Sequence, residues 1–116
     1  MLRQLALLLL LAAAALGAAA QPLVAVPPLS ERVIDLTGTL TAAQSQQLIG
    51  KLAAFEAEAG PQIVVLMVPT TQPEDIASFA QRVGEAWKIG RREVGDGLLM
   101  VVAKNDRKLW IAPAKA

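Results

Sequence analysis

The chain has 116 residues, 11 of them basic and 10 acidic, for a net charge of +1, which suffices for one domain and no more. It contains no cysteine and no histidine, so zinc-hydrolase chemistry and Ser-His-Asp or Cys-His catalysis are excluded for this chain alone. A charge this close to zero leaves no basic excess to neutralise phosphates, and nucleic acid is not an expected partner.

Residues 1–20 have the pattern of an export signal. Arg3 supplies the positive start, Leu5 to Leu16 an apolar core, and Ala18-Ala19-Ala20 the A-x-A pattern that a signal peptidase needs. That core is short of the ~20 apolar residues of a membrane span. The expectation is cleavage after Ala20 and a secreted, periplasmic or cell-envelope location; an uncleaved anchor is the other reading. Loss of Arg3 takes the 11 basic residues to 10 against 10 acidic, and nothing then favours electrostatic attachment to a membrane surface.

Residues 21–31 carry Pro22, Pro27 and Pro28 and form an extended lead-in or linker without a core pattern. Arg32 to Leu36 is short and β-prone, a brief strand or an ordered loop. Thr41 opens the first helix with capping-box spacing to Gln44, and Leu48, Leu52, Phe55 and Ala59 give one apolar stripe. Gly60-Pro61 stops it. Gln62 to Val68 is an apolar, β-branched run, a central strand that Pro69 ends. Pro73 suits the first position of a second helix, Glu74 and Asp75 suit its positive end, and Ile76, Phe79, Ala80, Val83 and Trp87 line one face before Gly90 caps it. Gly95-Asp96-Gly97 leads into Leu98 to Ala103, a second run expected to be buried on both faces. Lys104 to Arg107 then turn the chain into a more exposed strand, Leu109-Trp110-Ile111. The order predicts an α/β fold: a βαβ unit with parallel central strands and an antiparallel C-terminal edge hairpin.

Several blocks carry a resemblance: Val33-Ile34-Asp35 with Gly38-Thr39-Leu40, Gly60-Pro61-Gln62-Ile63-Val64-Val65, Trp87-Lys88-Ile89-Gly90, Gly95-Asp96-Gly97-Leu98-Leu99 and Asn105-Asp106-Arg107-Lys108. In that order and spacing, residues 32–116 resemble the first half of a TPM domain. The resemblance implies a three-layer α/β/α sandwich in an exported or lumenal protein. Some members of that family are linked to maintenance of membrane proteins, others modulate receptors, and a weak acid-phosphatase activity has been proposed. The implied partners are envelope or membrane proteins. Relatives continue past the last strand through a Gly-Tyr-Gly loop and further helices, where this sequence reads Ala112-Pro113-Ala114-Lys115-Ala116. The expectation is a truncated domain that exposes a sheet face and self-associates through it; a remnant without activity is a further reading.

The acidic residues are the candidates for chemistry. Asp35, Glu74, Asp75 and Asp106 should gather near the carboxyl ends of the parallel strands, where open α/β sheets bind ligands. Asp96 enters the last parallel strand from the other end, about 20 Å from Asp106 at ~3.3 Å per residue. One reading is an oxygen-ligand cation site for calcium or magnesium, with Asp35 and Asp106 as ligands. The other is local: Asp35 in a turn, Glu74 and Asp75 at the helix dipole, Asp106 in the hairpin. Trp87 to Gly90 is either a recognition patch or the closure of the helix-to-sheet core. Arg91-Arg92 either holds a phosphate or is solvated. Gly95-Asp96-Gly97 lacks nucleotide-loop spacing and precedes a strand, so no nucleotide cofactor is expected.

Overall fold

The computed structural model describes residues 22–90 and 96–114. The expected leader over 1–20, the Arg91-Arg92 pair and the last two residues lie outside the described residues. Six elements follow in order: β1 (Val33–Asp35), α1 (Ala42–Ala59), β2 (Gln62–Val68), α2 (Ile76–Trp87), β3 (Gly97–Ala103) and β4 (Lys108–Ala114). The strands form one sheet in the order β1-β2-β3-β4. The first three are parallel and β4 pairs antiparallel with β3, from Ala103↔Lys108 to Gly97↔Ala114. The brief segment after Arg32 is therefore a true edge strand.

Side chains alternate faces along a strand, and the two faces of this sheet differ. On one, Ile34, Val64, Leu66, Val68, Leu99, Val101 and Ala103 form a single buried cluster with Ile76, Phe79, Ala80 and Val83 of α2. Val33 and Val65, which point the other way, are also buried but lie outside that cluster. They sit where α1 packs on β1 and β2. The helices thus cover opposite faces, giving the three layers. Beyond β2, the second face is only half-buried at Leu98, Met100 and Val102. The expectation that the last parallel strand is buried on both faces is corrected: its burial alternates residue by residue, because α1 does not reach it.

Thr41 and Gln44 form the expected capping box, with Gln44 N–H donating to Thr41 Oγ1 at 3.1 Å and Thr41 N–H to Gln44 Oε1 at 2.9 Å. The apolar stripe is rotated from the predicted one. Leu48, Ile49, Leu52, Ala53 and Glu56 face inward, while Phe55 and Ala59 are exposed. An ion pair explains the rotation: Arg32 beside β1 holds Glu56 at 2.8 Å and turns that side of α1 toward the sheet.

Both ends of α2 differ from expectation. Asp75, not Pro73, opens it: the Asp75 carboxylate accepts the Ser78 N–H at 2.8 Å, and helix begins at Ile76. Its C-cap is Lys88, in the left-handed region at φ 49°. Gly90 has a separate task. With φ 85° it passes so close to the start of β3 that a Cβ would stand 2.7 Å from Gly97 Cα.

Residues 22–30, read from the sequence as a linker, belong to no helix or strand and are docked on the domain. Val24 and Val26 pack against the buried cluster. Among the described residues, no helix is long and apolar enough to cross a membrane.

Candidate functional site

The carboxyl ends of the parallel strands carry the predicted acidic residues, each engaged by its own surroundings. Asp35 ends β1, and the chain must turn there to enter α1. Its Oδ1 accepts the Thr37 N–H at 2.8 Å and the Thr37 hydroxyl, and its Oδ2 accepts the Leu40 N–H at 2.8 Å. Burial pushes the Asp35 carboxyl up, but the bonds from Thr37 and Leu40 together outweigh it and hold the group below the usual aspartate range.

Asp106 lies in the β3–β4 turn and works across the sheet. The Thr70 hydroxyl donates to both of its oxygens, at 2.9 and 2.8 Å, and the Thr71 N–H donates to Oδ2 at 3.2 Å. Backbone bonds run alongside, from Lys104 N–H to Val68 O at 3.0 Å and from Asn105 N–H to Pro69 O at 2.8 Å. The buried Thr71 hydroxyl donates to Glu74 O at 3.0 Å. Asp106 thereby fastens the β3–β4 turn to the loop that launches α2. The two threonines were missed in the sequence; their signal was a Thr-Thr pair between two prolines, Pro69 and Pro73, at the exit of a central strand.

The other two acids serve α2. Asp75 caps it, and the bonds from Ser78 hold its carboxyl below the usual value. Glu74 pairs with Arg82, which donates from Nε at 3.2 and 3.1 Å and from Nη2 at 2.8 Å. The Glu74 bond raises the Arg82 guanidinium further. Asp96 lies before β3, at the end opposite Asp106, and its carbonyl accepts the Gln62 N–H at 3.0 Å. Asp35 and Asp106 thus share one end of the sheet but bond to different loops. Among the described residues, no group of three or more acidic side chains comes close enough to hold a metal ion.

Among the described residues, a concavity lies elsewhere, at the amino ends of β2 and β3. It measures about 520 Å³ and is lined by Glu56, Ala57, Gly60, Gln62 and Gly90. Its polar groups are spoken for: Glu56 pairs with Arg32, and Gln62 Oε1 accepts the Gly90 N–H at 2.8 Å.

The other surface of note is apolar. The antiparallel register sets Leu98 opposite Pro113, Met100 opposite Ile111 and Val102 opposite Leu109. These six residues share the sheet face away from α2. Leu109 is 54% exposed and Ile111 49%, and α1 packs only on β1 and β2. Trp110, 44% exposed, points to the opposite face at the same edge. Trp87 is no open patch: it packs against the core cluster, and its indole N–H donates to Pro27 O at 2.8 Å.

The fold is similar to that of the N-terminal domain of a protein from P. gingivalis, with 23% identity and a TM-score of 0.65 over 74% of this chain and 55% of that one. It is also similar to the N-terminal domain of the cg2496 protein from Corynebacterium glutamicum, with 18% identity and a TM-score of 0.62 over 81% of this chain and 62% of that one. The chain thus spans 55% to 62% of the length of these two solved structures. No curated protein matches it. The model of the TPM domain family, which bears the name TPM phosphatase, matches residues 33–116, and the chain therefore belongs to the TPM domain family.

Proposed function

We propose that this TPM domain is a non-catalytic interaction module that acts in the cell envelope after export. It takes apolar segments of envelope or membrane proteins on the open β3–β4 face. The observation that carries this is the ribbon of Leu98, Met100, Val102, Leu109 and Ile111, whose outer members stand about half in solvent. Contiguous apolar surface of that kind marks interaction sites. The arrangement of the acids also supports it, since Asp35, Asp75, Glu74 and Asp106 each organise a loop or a helix end.

The test is a photo-crosslinker at position 111 in the exported protein, with a control at Gln46 on the outer side of α1. Crosslinks to membrane-fraction proteins from position 111 alone are expected. Equal labelling from both positions, or none, overturns the reading. A second copy could fill the same face, and concentration-dependent sedimentation of the purified chain, abolished by Leu109→Thr with Ile111→Thr, would show self-association instead.

The family's name favours a second reading, a weak metal-dependent phosphatase. Asp35 and Asp106 would then hold calcium or magnesium. Carboxylate and threonine oxygens, the groups clustered around both positions, are the donors those cations take. The ion would supply charge to stabilise phosphoryl transfer. Calcium-dependent heat in calorimetry and metal-stimulated turnover of a generic phosphate ester, both lost in Asp106→Ala, are the required results. Turnover unaltered by Asp106→Ala defeats this reading.

A further inference from the structure

We propose that the face of α2 bearing Arg82 and Trp87 is a peptide-recognition groove. It is filled here in cis by residues 24–27, and it takes an extended segment of the Val-x-Val-Pro type from a partner polypeptide. The groove lies on the opposite side of the sheet from the apolar β3–β4 ribbon and is independent of the reading above.

Residues 22–30 belong to no helix and no ladder. Among the described residues, two hydrogen bonds hold them, and α2 side chains donate both. Arg82 Nη2 donates to Val24 O at 2.8 Å and Trp87 Nε1 to Pro27 O at 2.8 Å. The accepting carbonyls are three residues apart, the repeat of a polyproline II helix. The two prolines restrict Val26 and Pro27 to extended backbone. Val24 and Val26 turn inward onto the core cluster, while Leu23 and Ala25 face solvent. Side-chain donors reading carbonyls beside an aromatic ring, with small apolar residues in the groove, is how proline-flanked peptides are bound in trans.

The groove is also preorganised. Arg82 is fixed from behind by Glu74, and its guanidinium lies 5.5 Å from the Phe79 ring centroid. A donor already held in place loses little freedom when a ligand arrives.

The experiment uses the full exported chain in a Trp110→Phe background, so that Trp87 alone reports. Val24→Asp with Val26→Asp loosens the strap, and a synthetic peptide of residues 22–29 is added. A saturable change in Trp87 emission is expected, weakened about tenfold by Arg82→Gln. The unaltered strap should give a smaller response at the same peptide concentration, because the cis occupant competes. No binding by the folded, strap-loosened chain overturns the proposal, as does equal binding of a scrambled peptide. Exchange of the Trp87 indole proton in the unaltered chain provides a readout that does not depend on the loosened variant folding. Exchange at least tenfold faster than the Val64 and Leu66 amides shows that the strap opens by itself. Exchange at the rate of those amides makes the strap a fixed part of the core and overturns the proposal.

Discussion

The two faces of this sheet are built from the same kinds of residue and end in different states. On the α2 side, Val64, Leu66, Val101 and Phe79 are fully buried. On the other side, β3 and β4 offer Leu98, Met100, Val102, Leu109 and Ile111, equally aliphatic, and the outer two are half exposed. Residue type does not decide the difference; helix placement does. The α2 helix turns Phe79, Ala80 and Val83 into the sheet as one stripe and closes over β3 and β4. The α1 helix buries no residue fully and stays over β1 and β2. Stability should therefore reside on the α2 side, and the other side should be free to change at little cost to the fold.

The largest test of that division is Phe79→Ala. Phe79 is fully buried in the core cluster, with the Arg82 guanidinium over its ring, and its removal should cost about 3–5 kcal/mol. Urea unfolding measures this, and a loss under ~1.5 kcal/mol would mean the α2 side is not the core. Gly90→Ala should come next, at about 2–3 kcal/mol. It forces an L side chain to φ 85° and drives its Cβ into the Gly97 backbone. If the variant melts like the parent, the close approach of that loop to β3 is wrong.

How far each side could be read in the sequence follows the same division. The α2 side was legible because Ile76, Phe79, Ala80 and Val83 keep helical spacing beside two β-branched runs. Parallel pairing of those runs followed from the single helix between them. The rotation of α1 was not legible: Leu48 and Leu52 fit two stripes equally well, and the choice depends on an Arg32–Glu56 pair between residues 24 positions apart. The start of α2 was misplaced because proline and two acids fit the first turn as well as they fit a cap; the bond from Ser78 decides. At the candidate site, the positions of Asp35 and Asp106 at strand exits were readable from strand order. Their partners were not, since the Thr70 and Thr71 contacts to Asp106 span 36 and 35 positions. The docking of 22–30 escaped notice for a related reason: two valines spaced for a strand, among prolines, look like a linker until Arg82 and Trp87 are seen to hold their carbonyls.

A smaller effect sharpens the comparison at the end of β1, where Asp35 prepares the entry of α1 on the weaker side. Its carboxyl is held below the usual value, so the unfolded chain takes up the proton first on acidification. The stabilisation is therefore complete above the ordinary aspartate value of ~3.9 and is lost as pH falls through the lower folded value. Asp35→Asn should cost about 1–2 kcal/mol at neutral pH, the worth of a cap with charge-assisted bonds. The gap to the parent should close as the pH is lowered past the ordinary aspartate range. Urea midpoints at pH 7 and at about pH 2.5 measure this. An equal gap at both means that shape, and not the charge, closes the 35–40 turn.

The smallest expected change is on the open ribbon itself. Leu109→Thr and Ile111→Thr leave β-branched threonine at both positions of β4, so strand propensity is retained. Each side chain is already half in water, and its remaining contacts are cross-strand, with Val102 and Met100. Such pairs are worth about 0.2–1 kcal/mol, so each substitution should lower stability by about 0.5 kcal/mol. A dye that brightens on exposed apolar surface should nevertheless lose most of its response in the double variant, while Phe79→Ala, which opens the other face, should increase it. Should the double threonine variant instead unfold several kcal/mol more easily with its dye response intact, Leu109 and Ile111 would be core residues and the division between the two faces would fail.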